Sequence, residues 1–343
     1  MDREATFRLV SELVALPAPS GVEDAVDRWL EARLDGRGLH ADAAGNRLLR
    51  IPGRGAAPAT ALTAHKDEIS AIVKRVFDDG RVRLSAVGDA FPWVWGEGPV
   101  DLLGDVATVP AVVSFGSRHV SPESAQRALV DGAGVAWKDA WAETKHAPGE
   151  LAAAGVRPGT RAVLPAARRR PTRLGPDGAF VAAPNLDDRL ACAVLVLLAE
   201  RLADPAGDVE LVFTTREETG AMGARYYGRR TDLDRLVAVE VAPTAEEYGL
   251  RCGPEPVLIE SDARSTLDHA LGRELADAAR AEGLEPCHVV LDRYGSDASN
   301  VYADGGIGRA ACIAISTDNT HGCEIAHLDA VENVTRTLRR WLA

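Results

Sequence analysis

From residue 186 to the C-terminus, apolar stretches of helical length alternate with short β-prone runs. Asp188 to Leu202, Leu267 to Ala281 and Val331 to Trp341 carry helical spacing. Val209 to Phe213, Leu236 to Val239, His288 to Leu291 and Ala311 to Ile315 read as buried strands. That rhythm leaves few architectures open: an α/β fold, with a mostly parallel-stranded sheet flanked by helices on both faces. The N-terminal segment extends it. Residues 4–16 have helical spacing, ended by Pro17, Pro19 and Gly21. Ser20 and Glu23 resemble a capping box that opens a second helix to about Leu34. Leu39 to Ile51 reads as a hairpin turning at Gly45-Asn46, and Ala59 to Ala64 as a short buried strand ending at His65.

One stretch breaks the rhythm. From Ser70 to about Pro176 the segments Ala71–Val76 and Arg81–Leu84 alternate in polarity about an Asp79-Gly80 turn. Four of the six tryptophans (Trp93, Trp95, Trp137, Trp141) fall here, which sets the stretch apart from its surroundings. The expectation is a small β-rich domain, residues 70–176, inserted into an α/β host made of residues 1–69 and 177–343. A chain of 343 residues accommodates two domains.

Composition narrows the partners. A net charge of -12 argues against a nucleic acid held through its phosphates. The longest apolar run, Leu190 to Ala199, is too short for a bilayer, and Met1-Asp2-Arg3-Glu4 does not begin a signal peptide, so no membrane partner is expected. The five cysteines are widely spaced without a Cys-x-x-Cys, which fits a reducing cytoplasm.

Five polar positions share a place in the pattern. His65 ends a strand, Asp187 heads a helix, Glu217-Glu218 follow the strand Val209–Phe213, Glu240 ends the strand at Val239, and His321 lies just past Ile315. In a parallel sheet such strand ends open on one edge, where ligands bind. Two imidazoles and several carboxylates without a thiolate suit Zn²⁺ and similar ions, and one carboxylate can bridge a pair of them. Each position also has a plainer role. Asp187 reads equally as a helix N-cap, His65 as a hydrogen-bonded core histidine, Glu217-Glu218 as a solvated acidic turn and Glu240 as a solvated strand end. His321 reads as a loop residue, with His327 the alternative ligand. His40, His119, His146, His269 and His288 lack such a context and are read as structural.

These residues carry a resemblance. Pro19-Ser20-Gly21-Val22-Glu23, Asp42 to Asn46, Ala64-His65-Lys66-Asp67-Glu68-Ile69, Leu186-Asp187-Asp188-Arg189, Arg216-Glu217-Glu218-Thr219-Gly220, Gly295-Ser296-Asp297-Ala298 and the region of His321 occur in order. Together with Gly155-Val156-Arg157-Pro158-Gly159, where the insertion returns, they make the chain similar to the M42 metallo-aminopeptidases from about residue 5 to 337. The resemblance implies a zinc-exopeptidase-like fold and two divalent metal ions, Zn²⁺ first and Co²⁺ second. His65, Asp187 and Glu240 would hold one ion and Asp187, Glu218 and His321 the other, with Asp187 bridging. Glu217 would be the general base, and Asp67 would orient His65. The inserted domain would be a dimerisation module, the assembly a homo-oligomer reaching a hollow dodecamer, and the substrate a peptide. Three departures stand out: Glu240 where the family usually has Asp, one methylene longer and so bearing on metal spacing or denticity; Ser70 where it often has Gly; and Asp318-Asn319-Thr320-His321-Gly322 in place of Arg-Tyr-x-His, near where substrate is expected and so bearing on specificity. The leading expectation is therefore an aminopeptidase. The alternatives are a dipeptidase or deacylase for small amides using the same site, and a metal-free relative serving binding or assembly.

Overall fold

The structure, a computed structural model, describes residues 2–117, 119, 126–127, 132 and 134–343. The chain divides into two compact units, one of residues up to Asp67 together with Arg170–Ala343, the other of Glu68–Arg169. In the larger unit, α1 (Arg3–Val14) starts at Asp2, whose carboxylate accepts the Ala5 amide at 2.7 Å, and stops before Pro17. Next come α2 (Asp24–Arg33), the hairpin of β1 (His40–Ala41) and β2 (Arg47–Ile51), and β3 (Thr60–His65). The expected capping box at Ser20 and Glu23 does not form. Glu23 is itself the N-cap of α2 and makes no side-chain cap bond. Buried carboxylates and amides nearer the sheet edge claim both side chains instead.

The smaller unit is a closed barrel in the order β4-β5-β8-β7-β6-β9, antiparallel throughout. Its strands are β4 (Ser70–Val76), β5 (Val82–Val87), β6 (Gly98–Leu103), β7 (Thr108–Ser114), β8 (Trp141–Glu143) and β9 (Arg161–Val163). The short helices α3 (Pro92–Trp95) and α4 (Pro148–Ala153) lie between strands. Alternate residues fill the barrel: Val73, Leu84, Val100, Leu102, Val113 and Ala142 form one buried cluster with Trp95 and Leu151. Inside this unit Glu68 and Arg169 form a fully buried pair held through both guanidinium nitrogens.

The larger unit resumes with β10 (Thr172–Leu174), which pairs with β11 (Phe180–Ala183). The larger unit therefore resumes at Arg170 and its sheet at Thr172, several positions before the boundary drawn at 176 from sequence. After α5 (Leu186–Arg201) come β12 (Val209–Thr214), α6 (Met222–Gly228), β13 (Arg235–Pro243), β14 (Pro256–Ser261) and α7 (His269–Ala281). β15 (Cys287–Val290), α8 (Asp297–Ala303), β16 (Arg309–Asp318), β17 (Glu324–His327) and α9 (Leu328–Leu342) complete it. The sheet order is β1-β2-β12-β3-β13-β16-β17-β11-β10, with β14 on β16 and β15 on β14.

The sheet is mixed rather than mostly parallel. Its centre, β12-β3-β13-β16, is parallel, as is the β14–β15 pair, but the other six of ten pairings are antiparallel. The flanks arise partly from hairpins, β1–β2, β10–β11 and β16–β17, whose strands are too short to stand out in a hydrophobic pattern. Alternation then divides the core. Leu62, Leu211, Val237, Val239 and Ile313 face a cluster with Leu13, Leu190 and Val334, whereas Ala61, Val212, Ala238 and Ala314 face one with Tyr227 and Val301. Helix α5 is buried from Leu186 to Ala199, which explains the uninterrupted apolar run Leu190–Ala199. Among the described residues no helix is long and apolar enough to cross a membrane.

Candidate metal and catalytic site

The parallel core strands end on one edge, with His65 of β3 registered opposite Thr214 of β12 and Glu240 of β13 opposite Ala314 of β16. His65 is 2% exposed. Its Nε2 lies 2.9 Å from Asp187 Oδ1, and its Nδ1 lies 3.5 Å from Asp67 Oδ1. The other oxygen of Asp187, Oδ2, lies 3.4 Å from His321 Nε2, which is 3.5 Å from Glu218 Oε2. Potential ligand atoms of His65, Asp187 and Glu240 all fall within 4.8 Å of one another, and so do those of Asp187, Glu218 and His321. Asp187 is common to both groups and turns one oxygen to each imidazole. The structure thus brings together His65, Asp187, Glu218, Glu240 and His321. Glu217, half-buried on the turn after β12, faces the same cluster, where its carboxyl interacts with His65, Glu240, Asp297 and Glu218.

Local geometry differs from the sequence pattern in instructive ways. Asp187 is not an N-cap: that position belongs to Asn185, at φ 59°, and Asp187 and Asp188 keep non-helical backbone angles ahead of the regular turns of α5. β13 continues three residues past Glu240, so Glu240 sits within the strand rather than at its end. His327 stays outside both groups. Its Nδ1 accepts the Asp329 amide at 3.2 Å, capping α9, and its ring packs edge-on against Phe180.

A second set of buried acids grips the backbone beneath these side chains. Asp67 accepts the Ser20 hydroxyl and the amides of Glu217 and Glu218 at 2.9 and 3.2 Å. Asp188 accepts the His65 amide at 3.1 Å. Glu324 accepts the amides of Asp187 and His321, each at 2.9 Å. Glu23 Oε1 takes the amides of Gly21 and Arg216, at 2.7 and 3.3 Å. Of these acids only Asp67 is given a role by the family resemblance. Asp188 was visible as the second half of an acidic pair, but Glu324 is set apart in the sequence only by its nearness to His321. Replacing Ser20 with Ala removes a charge-assisted bond from a buried carboxylate and is expected to lower unfolding free energy by about 1.5–3 kcal/mol, measured by urea denaturation.

Crowding so many acids has an electrostatic consequence. Burial, reinforced by neighbouring carboxylates, raises the Glu217 and Glu240 carboxyls well above the usual range. The same cause pushes Glu218 to about 8, Glu324 to about 7 and Asp297 to about 6. Burial opposes charge on His321, yet Glu218 and Asp187 outweigh it and lift its pKa to about 10. Burial likewise opposes ionisation of Asp187, but hydrogen bonds with His321 and His65 hold its carboxyl low. Such a cluster stores protons unless cations replace them. The donor set, two imidazoles and three carboxylates without a thiolate, fits borderline divalent ions. Beyond the same edge, past the ends of β13 and β16, a cavity of about 680 Å³ is lined by Phe180, Thr244, Glu246, Leu250, Arg251 and Asp318.

The family model described as M42 glutamyl aminopeptidase matches residues 45–337. A glutamyl aminopeptidase of Lactococcus lactis is 25% identical over 322 residues, covering 88% of this chain and 85% of that one. Among solved structures, an aminopeptidase from the archaeon Desulfurococcus kamchatkensis superposes with a TM-score of 0.88 at 22% identity, over 99% of this chain and 95% of that one. The TET1 peptidase of Pyrococcus horikoshii, which can assemble into a tetrahedron or a large octahedral shell, matches at TM-score 0.86 and 22% identity, over 98% and 99% of the two chains.

Proposed function

The chain belongs to the M42 glutamyl aminopeptidase family, and we propose that it removes N-terminal residues from peptides with two divalent ions held at the edge of its sheet. The observation that carries the two-ion reading is the divided carboxylate of Asp187, whose Oδ1 faces His65 while its Oδ2 faces His321. His65, Asp187 and Glu240 would hold one ion, and Asp187, Glu218 and His321 the other. Zn²⁺ is the first choice and Co²⁺ the second. When bound, the ions supply Lewis acidity that acidifies a water and polarises the scissile carbonyl.

The remaining steps belong to the chain's own residues. Glu217 is in neither ligand group, and its amide is anchored to Asp67. Its carboxylate takes the proton of the attacking water and returns it to the leaving amine. Burial raises this carboxyl above the ordinary range, the direction that favours its accepting a proton from water. Asp67, held low by hydrogen bonds that outweigh its burial, stays ionised beside Nδ1 of His65 and keeps Nε2 turned toward the cluster. The cavity beside Thr244 and Asp318 is the pocket for substrate side chains.

The barrel unit is proposed to mediate homo-oligomerisation. Phe91 and Trp93, stacked 5.7 Å apart, are 49% and 61% exposed, as Val106 is at 78%, which suits an interface better than a free surface. The structurally similar TET1 peptidase can assemble into a tetrahedron or a large octahedral shell, and a dimer-based dodecamer is the proposed form here. Five free cysteines fit a cytoplasmic setting. The reading is tested by metal analysis and a panel of aminoacyl chromogenic amides beside N-acyl amino acids, whose deacylation is followed as released amino acid. Two bound equivalents and hydrolysis of the free-amine substrates are expected. Turnover confined to N-acylated compounds would reassign the enzyme as a deacylase.

A further inference from the structure

Glu324 lies outside both candidate ligand groups, yet the two segments that carry Asp187 and His321 meet on it. Its side chain is fully buried. Oε2 accepts the Asp187 amide and Oε1 the His321 amide, each at 2.9 Å. One amide precedes the regular turns of α5, and the other lies in the loop between β16 and β17. Neither belongs to a regular hydrogen-bond ladder. Asp187 has φ -71° and ψ 107°, off the helical path. His321 has φ 65° and Asn319, two residues earlier, φ 58°. Residues with a side chain adopt that left-handed conformation uncommonly, Asn and His more readily than most. The loop's own bonds, Gly322 amide to Asn319 carbonyl and Asn319 side chain to Cys323 carbonyl, close the turn without reaching the His321 amide.

We infer that Glu324 is a positioning residue, whose single carboxylate, by holding both amides, sets the spacing of Asp187 from His321 and hence the affinity for the ion that they would share with Glu218. This rests on the two-ion reading above. The role requires two acceptors on one rigid group of this length. Gln offers one acceptor and turns an N–H₂ against the second amide, while Asp keeps the charge but is one methylene too short to reach both amides. A side chain needed only for packing or for its charge would tolerate one of these changes.

The test uses the full chain, stripped of metal and titrated with Zn²⁺ against a competing chromophoric chelator. Wild type is expected to take up two equivalents. In both Glu324→Gln and Glu324→Asp, one equivalent should weaken by about 10–100-fold, as loss of a ligand-orienting partner typically does, with the other nearly unchanged. Excess Zn²⁺ should restore turnover. Wild-type affinity for both equivalents in either variant overturns the inference, as does equal weakening of both. Fewer than two equivalents in wild type overturns the two-ion reading instead. Hydrogen exchange on metal-free wild type needs no variant to fold: protected Asp187 and His321 amides are expected, and rapid exchange at His321 overturns the clamp.

Discussion

Glu217→Gln is expected to lower kcat by about 10²–10⁴-fold, the range usual for loss of a general acid–base group, while both metal equivalents stay bound and KM changes little. The substitution is nearly isosteric. The amide of residue 217 keeps its bond to Asp67, so the turn after β12 stays in place and Glu218 remains beside His321. What disappears is a single site for a proton. An effect on kcat without one on KM is the signature of an interaction made in the transition state and absent from the ground state. The acidic limb of the kcat/KM profile should vanish with it, because that limb reports ionisation of the base in the free enzyme. Turnover equal to wild type would remove Glu217 from the chemistry. Loss of a metal equivalent would make it a ligand and leave the base unassigned.

The site was more legible than the sheet that carries it. His65, Asp187, Glu217, Glu218, Glu240 and His321 stand out because polar residues beside apolar strands and helices are conspicuous in one dimension, and the structure gathers all of them but Glu217 into two overlapping groups. The antiparallel flanks were not legible. β1 has two residues and β10 three, too few to show a period, and pairing of β14 with β16 is a long-range choice that no local pattern encodes. Ser20 and Glu23 misled for a related reason. Their three-residue spacing is that of a capping box, but tertiary partners, Asp67 for one and the Gly21 and Arg216 amides for the other, won the hydrogen bonds. The roles of Glu324 and Asp188 were not legible because their partners are backbone amides, and amides carry no sequence signature.

Removing the metals is expected to lower Tm, and the loss should grow as pH rises from about 5.5 to 8.5. With free metal at a hundredfold excess over Kd, each ion adds about 2.7 kcal/mol, so two add roughly 5 kcal/mol, or on the order of 10 °C for a chain of this size. The pH dependence follows from the metal-free cluster. Glu218 is raised from 4.5 to about 8, Glu324 from 4.5 to about 7 and Asp297 from 3.8 to about 6. Between the ordinary and raised values the folded state binds more protons than the unfolded one, so its stability falls as pH rises. His321, raised from 6.5 to about 10, acts in the same direction: its contribution is complete below 6.5 and is lost as pH climbs through 10. Asp187 and Asp67, held below 3.8, act oppositely, but only at pH values under that ordinary range. Metal binding reverses the slope, since deprotonated ligands bind cations more tightly. Differential scanning fluorimetry of metal-loaded and chelator-treated protein across this range should show the two Tm curves diverging. Parallel curves would mean that the clustered acids are not relieved by cations, and the two-ion site would have to be given up.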